Sequence, residues 1–419
     1  MAALKGSNKT IWIAGLGTIL TTFQLVIIGN YIVIFLKEDL LTAIILITLI
    51  ISLRNALQLF LRVPFGDLSQ IIGRKPLILG GHFSFTISLF LMSIATNWIW
   101  VLIAIVFVAI GMSAFWPCML AYISDISSNN NSGGSIGRMF QLSDIGSIVG
   151  LLISSLILDE YQLTLTDLFS IAAILAFFFG LINIIILPES LDKIHRKQIV
   201  SIPKAIMTSF SSMLSTLKQM TLTKDLTLAY IFQLIVAFTE FTATTFLPLL
   251  IVQKGFSRGD VSEIGLWATL VTLWFKPFLG KLTDRFHFIY VITSTVMIYS
   301  LALFAFTIIN DYLLLIILFV IMNASLITAY MAENNEVARR APFALRGTAL
   351  GSLGFYVALG RTSSTVISGP IWEIFGLTGV FNIIILGVLV IILILFFMNR
   401  PKREPLRMKS KSVSYVIQD

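Results

Sequence analysis

Uncharged, apolar stretches recur along the chain with a regular beat, each bounded by charges or turn residues. Twelve reach the length that a membrane crossing needs, near 11–36, 41–63, 77–95, 98–124, 137–158, 167–187, 227–252, 261–279, 289–309, 312–332, 347–370 and 376–398. About twenty residues at a rise of about 1.5 Å cross the hydrocarbon of a bilayer, so each stretch predicts one transmembrane helix. The expected fold is an all-α integral membrane protein with short loops and one longer break. That break divides the chain into an N-terminal six-helix bundle (1–188), a cytoplasmic linker (189–226), a C-terminal six-helix bundle (227–398) and a basic tail (399–419). Within the linker, Ile206, Phe210, Met213, Leu217 and Met220 recur at helical spacing beside Lys204 and Lys218. This pattern fits either a helix lying in the membrane interface or a plain disordered connection.

Composition agrees. Of 419 residues, 57% are hydrophobic and 12% charged, against roughly 45–50% and 25% in soluble domains. One cysteine, Cys118, excludes a disulfide framework and a cysteine-based metal centre. His82, His195 and His287 lie far apart without ligand spacing, so neither a metal nor a cofactor is expected. No cleavage signal follows the first apolar stretch, which reads as a mature span. The net charge of +8 is a topology signal. Lys5, Lys9, Arg74, Lys75, Arg138, Lys193, Arg196, Lys197, Arg339, Arg340, Arg400 and Arg403 fall on the side of the termini, against Lys37, Lys254 and Arg258 opposite. By the positive-inside rule both termini face the cytoplasm, and the expected location is the plasma membrane. The basic tail then meets anionic lipid, and no nucleic-acid partner is needed.

The two halves repeat each other. The segment from Gly66 to Lys75 (GDLSQIIGRK) answers that from Gly280 to His287 (GKLTDRFH), and Ala121 to Asp125 (AYISD) answers Ala329 to Glu333 (AYMAE). The offset is close to 210 residues throughout, as for six-helix repeats related by an axis along the membrane normal. With these motifs the chain resembles the major facilitator superfamily of secondary transporters, whose signature GxLxDRxGRK lies between spans 2 and 3. The first copy has Gln70 and Ile71 in place of Asp-Arg; the second keeps Asp284 and Arg285 but loses the later glycine and bases. The resemblance implies an inner gate built from Gly66, Gly73, Arg74, Lys75 and Asp125 in the first half, and from Gly280, Asp284, Arg285 and Glu333 in the second. Phe107 stands where the superfamily has a span-4 arginine. Gly137, Gly146 and Gly150 keep half of a span-5 antiporter motif, enough for a small-residue packing face.

Four ionisable residues fall inside spans: Arg54, Asp144, Glu240 and Arg361. Counted from the cytoplasmic helix ends, Arg54 lies about 18 Å deep, Glu240 and Arg361 about 21 Å, and Asp144 about 10 Å. Charge in hydrocarbon is costly, so each is a functional candidate. In the superfamily, spans 2 and 11 are neighbours, which brings two guanidiniums together and demands an anion. Either a substrate answers them or the four charges, which sum to zero, pair internally. Arg54, Gln58, Arg361, Gln24, Asn30, Asn323 and Tyr330 are the expected substrate contacts, with Tyr31 and Gln233 nearby. Glu240 and Asp144 are the proton-coupling candidates. Arg62 and Lys276, just before the two signature segments, resemble the anion-binding arginines of nitrate porters, Lys276 departing from the pattern.

The resemblance implies a monomeric secondary transporter, not an enzyme, that moves a small organic anion by alternating access, driven by protons or another coupling ion. The alternatives are proton-driven efflux of drugs or lipophilic cations, and a non-transporting receptor on the same scaffold.

Overall fold

The computed structural model describes residues 8–126, 132–190, 224–340 and 346–399. The predicted interfacial helix within 189–226 and the basic tail from residue 400 lie outside them. In chain order the helices are α1 (Asn8–Ile34), α2 (Ile44–Ile72), α3 (Arg74–Ser93), α4 (Trp98–Ile126), α5 (Ser132–Ser155), α6 (Leu165–Ile186), α7 (Lys224–Gln253), α8 (Arg258–Arg285), α9 (Phe288–Ile308) and α10 (Tyr312–Arg340). The last helical run, Arg346–Asn399, is broken at Gly376, whose φ of 73° and ψ of 177° lie outside helical space, so it comprises α11 (346–375) and α12 (377–399). Twelve helices therefore occupy the twelve predicted spans.

Among the described residues, ten helical stretches are long and apolar enough to cross a membrane, the last, Ser352–Asn399, covering α11 and α12 together. α8 falls outside that group because Glu263, Lys276 and Lys281 interrupt its apolar sequence. It crosses beside α5 and α10, where protein rather than lipid meets part of its polar surface. Several helices overrun their predicted ends. α2 continues to Ile72 and α3 begins at Arg74, so the first signature segment is helix on both sides of a single residue, not a loop. Gly73, with φ of 109° and ψ of 164°, makes that turn at a backbone geometry that a side chain resists. The second signature segment lacks this glycine. There α8 ends through extended Phe286, and the His287 ring accepts the Ile289 N–H to open α9.

Within the first half α3 packs on α4 and α6, α2 on α4, and α1 on α5; within the second α7 packs on α11, α10 on α8 and α9, and α9 on α12. Three seams join the halves: α2 with α11, α5 with α8, and α1 with α7. The seam-facing helices are held by hydroxyl bonds, Ser52 Oγ to Thr365 Oγ1 at 2.6 Å across α2 and α11, and Thr242 to Ser364 at 2.7 Å across α7 and α11. α6, α9 and α12 turn residues such as Phe178, Leu301 and Leu386 outward, an apolar surface suited to lipid.

The face that carries Gly73 and the start of α1 is here the terminal face. At the opposite face, α1 and α5 each end in one π-helical turn, Phe35–Asp39 and Leu156–Glu160. α6 and α8 begin there with matching capping boxes, Thr164 with Asp167 and Ser257 with Asp260.

The retained span-5 glycines serve packing. A Cβ at Gly146 would overlap the Ile19 carbonyl and the Thr22 hydroxyl of α1, and one at Gly150 would meet Val26 and, at 3.0 Å, the Phe23 carbonyl. Gly137 faces open space. Gly146→Leu is therefore expected to cost about 1–3 kcal/mol by overpacking, read as a lower midpoint of thermal unfolding in detergent. Gly137→Leu should leave that midpoint unchanged.

Candidate functional site

The seam between α7 and α11 is unusually close, because the Gly360 position lies against the Leu234 carbonyl, 2.5 Å from where a Cβ would sit. With Thr242 bonded to Ser364, this contact sets the register that brings Glu240 to Arg361. Arg361 Nε and Nη2 each donate to the Glu240 carboxylate at 3.3 Å, and the Tyr330 hydroxyl of α10 donates to the same group at 3.3 Å. Glu240 is buried, with 8% of its surface exposed. Two hydrogen bonds and a phenol compensate its desolvation, which a lone carboxylate could not survive in such surroundings.

Next along α7, the Phe241 ring is approached by two guanidiniums. Arg54 of α2 lies 5.0 Å from the ring centroid and Arg361 lies 5.4 Å from it. The negative face of an aromatic ring attracts cations at such distances. Arg54 differs from Arg361 in its remaining partners. Its Nε is buried with no hydrogen-bond acceptor, and it takes part in no ion pair among the described residues. Beside it opens a cavity of about 120 Å³ between α1, α2 and α7, lined by Val26, Gly29, Asn30, Ile32, Ile51, Phe241, Thr244 and Thr245 as well as Arg54.

Of the two alternatives for the four intramembrane charges, closure of all four among themselves does not occur among the described residues. Asp144 of α5 is taken by Lys276 of α8, an ion pair across the second seam. The resemblance to nitrate porters would make Lys276 an anion ligand with Arg62, whereas its ammonium here faces α5 and pairs with Asp144. Asp144 is thus occupied, Glu240 answers Arg361, and Arg54 remains over. Arg62, two turns along α2, lies against α11, its guanidinium 3.0 Å from the Cβ position of Gly354.

Other expected contacts divide. Tyr330 and Asn30 lie at the site, and Gln58 of α2 and Asn323 of α10 are half-buried. Gln24 does not face the cavity: its amide donates to Thr86 Oγ1 of α3 at 2.8 Å, fully buried within the first half. The α1 face that carries it packs on α3 to satisfy a buried amide. Gln233 is buried on α7. Tyr31 is used elsewhere, its hydroxyl 2.5 Å from Ser262 Oγ and donating to the Arg258 carbonyl at 3.1 Å. Beside it Arg258 pairs with Glu38 at 3.2 Å and Asp39 at 3.0 Å, so α1 and α8 are clasped at the opposite face.

At the terminal face the first-half cluster is assembled. Arg74 Nε donates to Asp125 Oδ2 at 3.2 Å, and its Nη1 contacts the Ser69 hydroxyl. Glu189, which sequence reasoning missed, accepts the Arg74 and Lys75 backbone N–H groups at 2.9 and 3.3 Å and so caps α3. Ser190 donates to Asp125 at 3.1 Å, and Lys75 Nζ reaches the Ile184 carbonyl at 2.7 Å. Gly66 lies near Pro117 of α4, and Gly280 near Met331 of α10. The second-half pairing differs from expectation. Glu333 is fully buried with both carboxyl oxygens unpartnered, whereas Arg285, on the last turn of α8, is exposed. The Asp284 side chain lies outside the described residues. A neutral bond, Asn335 Nδ2 to Thr283 Oγ1 at 3.0 Å, links α10 to α8 in their place.

No curated protein matches the chain. Solved structures resemble it closely in fold at low sequence identity. The peptide transporter POT in complex with sulfate has a TM-score of 0.74 at 12% identity, covering 95% of this chain and 97% of that one. A mutant of the nucleoside transporter NupG has a TM-score of 0.74 at 14% identity, covering 92% and 99%. A bacterial homolog of the human lysosomal transporter Spinster, inward-facing and occupied, has 0.70 at 14%, covering 94% and 97%. The sequence pattern of the Major Facilitator Superfamily matches residues 14–365. Twelve helices in two related bundles around a central charged seam are thus the architecture of a transporter, and this chain belongs to the Major Facilitator Superfamily.

Proposed function

We propose that the protein is a secondary active transporter that moves a small organic anion across the plasma membrane, coupled to protons, by alternating access. The observation that carries this reading is the unequal state of the two guanidiniums on Phe241: Arg361 is paired with Glu240, whereas Arg54 has no ion pair among the described residues and its buried Nε has no acceptor. A cation held at this depth without a counter-charge is stabilised by an incoming anion. The distribution of Lys and Arg supports a cytoplasmic terminal face. On that assignment, the Arg258 clasp and the Tyr31–Ser262 contact close the outer side above the site.

Coupling follows from the Glu240–Arg361 pair. When Glu240 takes a proton, Arg361 loses its counter-charge and the centre gains one positive charge, which favours an anion on Arg54. When the proton leaves, the carboxylate again neutralises Arg361 and the anion is released. One proton and one monoanion then travel with no net change in site charge. The same pair disfavours efflux of lipophilic cations, because Glu240 is already neutralised by Arg361.

In proteoliposomes, Arg54→Gln is expected to lower organic-anion flux about 10–100-fold, the worth of hydrogen bonds to a charged group at about 1.5–3 kcal/mol. Undiminished anion flux in that variant would remove Arg54 from the site. Glu240→Gln should abolish accumulation driven by a proton gradient while anion counterflow persists. Proton-driven accumulation at the wild-type level would exclude Glu240 from coupling.

The Asp144–Lys276 pair is proposed to hold the α5–α8 seam in this state. Removing one partner of a buried pair costs about 3–5 kcal/mol, and this pair, with side chains 22% and 19% exposed, should lose somewhat less. Asp144→Lys alone should slow flux and lower the thermal midpoint, and Asp144→Lys with Lys276→Asp should recover both. A reversed pair no better than the single variant would assign Asp144 another role.

A further inference from the structure

The cavity beside Arg54 has a composition that selects among anions, and this inference rests on the anion reading above. It offers one cation and no carboxylate of its own. The neighbouring cation, Arg361, is bound to Glu240 and does not line the cavity. The other polar groups at the wall are Thr hydroxyls and the Asn30 amide. The Asn30 and Thr245 side chains have no hydrogen-bond partner among the described residues, so both stand ready to donate to an oxygen. The rest of the wall is apolar, with Val26 and the Phe241 ring prominent. At about 120 Å³ the space is smaller than the usual pocket for a drug-sized ligand and suits only a small solute.

We propose that this cavity binds a short-chain monocarboxylate, its carboxylate on Arg54, Asn30 and Thr245 and its apolar body towards Val26, with Gly29 setting the length of that body. An amino acid or peptide carries an ammonium that no lining residue answers. A dicarboxylate brings a second negative charge that no further lining cation meets. Both would leave a desolvated, unpaired charge, the costliest outcome in such a site. Gly29 controls the size because a Cβ built there meets no atom within 4 Å: the space it faces is the cavity, not a neighbouring helix.

That last feature supplies a variant that changes the cavity without disturbing the fold. Gly29→Val should leave the thermal midpoint of the ligand-free protein unchanged. Binding by isothermal calorimetry to the full-length protein in nanodiscs would use acetate, lactate, butyrate, alanine, succinate and tetraphenylphosphonium as probes. The expected result is saturable binding of lactate and butyrate, lost at least tenfold in Arg54→Gln, with alanine and succinate at least tenfold weaker. Gly29→Val should weaken butyrate at least tenfold and acetate less than twofold. Preference for succinate or alanine that still depends on Arg54, or equal butyrate affinity in Gly29→Val, would overturn the monocarboxylate assignment and leave anion transport standing. Binding of tetraphenylphosphonium alone, or of none of the anions, would overturn both.

Discussion

A charge held within the bilayer is costly unless something answers it, and this constraint organises the centre of the molecule. Hydrocarbon supplies no water to screen a guanidinium and no counter-ion to follow it. Glu240 and Tyr330 answer Arg361, Lys276 answers Asp144, and the face of Phe241 attracts Arg54 without neutralising it. Placing these groups requires close helix contacts: Gly360 against the α7 backbone, and hydroxyl bonds along the α2 and α7 edges of α11. The glycines and small hydroxyl residues that let helices approach are therefore also what fixes the electrostatics of the site.

The two halves share an architecture and diverge in chemistry. At the terminal face the first half is tied by charge, through Arg74, Asp125 and Glu189, and the second by the neutral Asn335–Thr283 bond. The divergence matches the incomplete signature copies, since the first keeps Gly73, Arg74 and Lys75 whereas the second keeps Asp284 and Arg285. At the centre the asymmetry is stronger. α7 carries Glu240, and the corresponding helix of the first half, α1, carries no acid in its spanning part. The carboxylate and its cationic partner thus both belong to the second bundle, while Arg54, in no ion pair among the described residues, belongs to the first.

The helices and the family were legible in the sequence because lipid enforces a strong rule: long uncharged runs cannot be anything else at this frequency. The intramembrane acids and bases were legible for the same reason, being exceptions to that rule. Their pairing was not. Whether Asp144 meets an arginine or Lys276 depends on the rotation of α5 against α8, and no residue count carries a helix rotation. Gln24 was misread because a polar residue in a span can face either a cavity or another helix, and only packing on Thr86 decides it. Glu189 escaped notice since it lies just past the end of α6, where acids are common and seldom informative; its value comes from the exposed N–H groups of α3.

The turn at Gly73 has a mechanical consequence. One residue is the whole connection between α2 and α3, and neither helix frays before it. Arg54 rides on the first rod, and Arg74 opens the second, where Glu189 and Asp125 hold it. Two helices sharing a single pin leave little slack between them, and the one proline within α2, Pro64, lies between Arg54 and that pin, where a missing backbone N–H lets the helix bend. The charged centre and the terminal cluster are thus ends of one continuous helix that meets its successor at a pin one glycine wide.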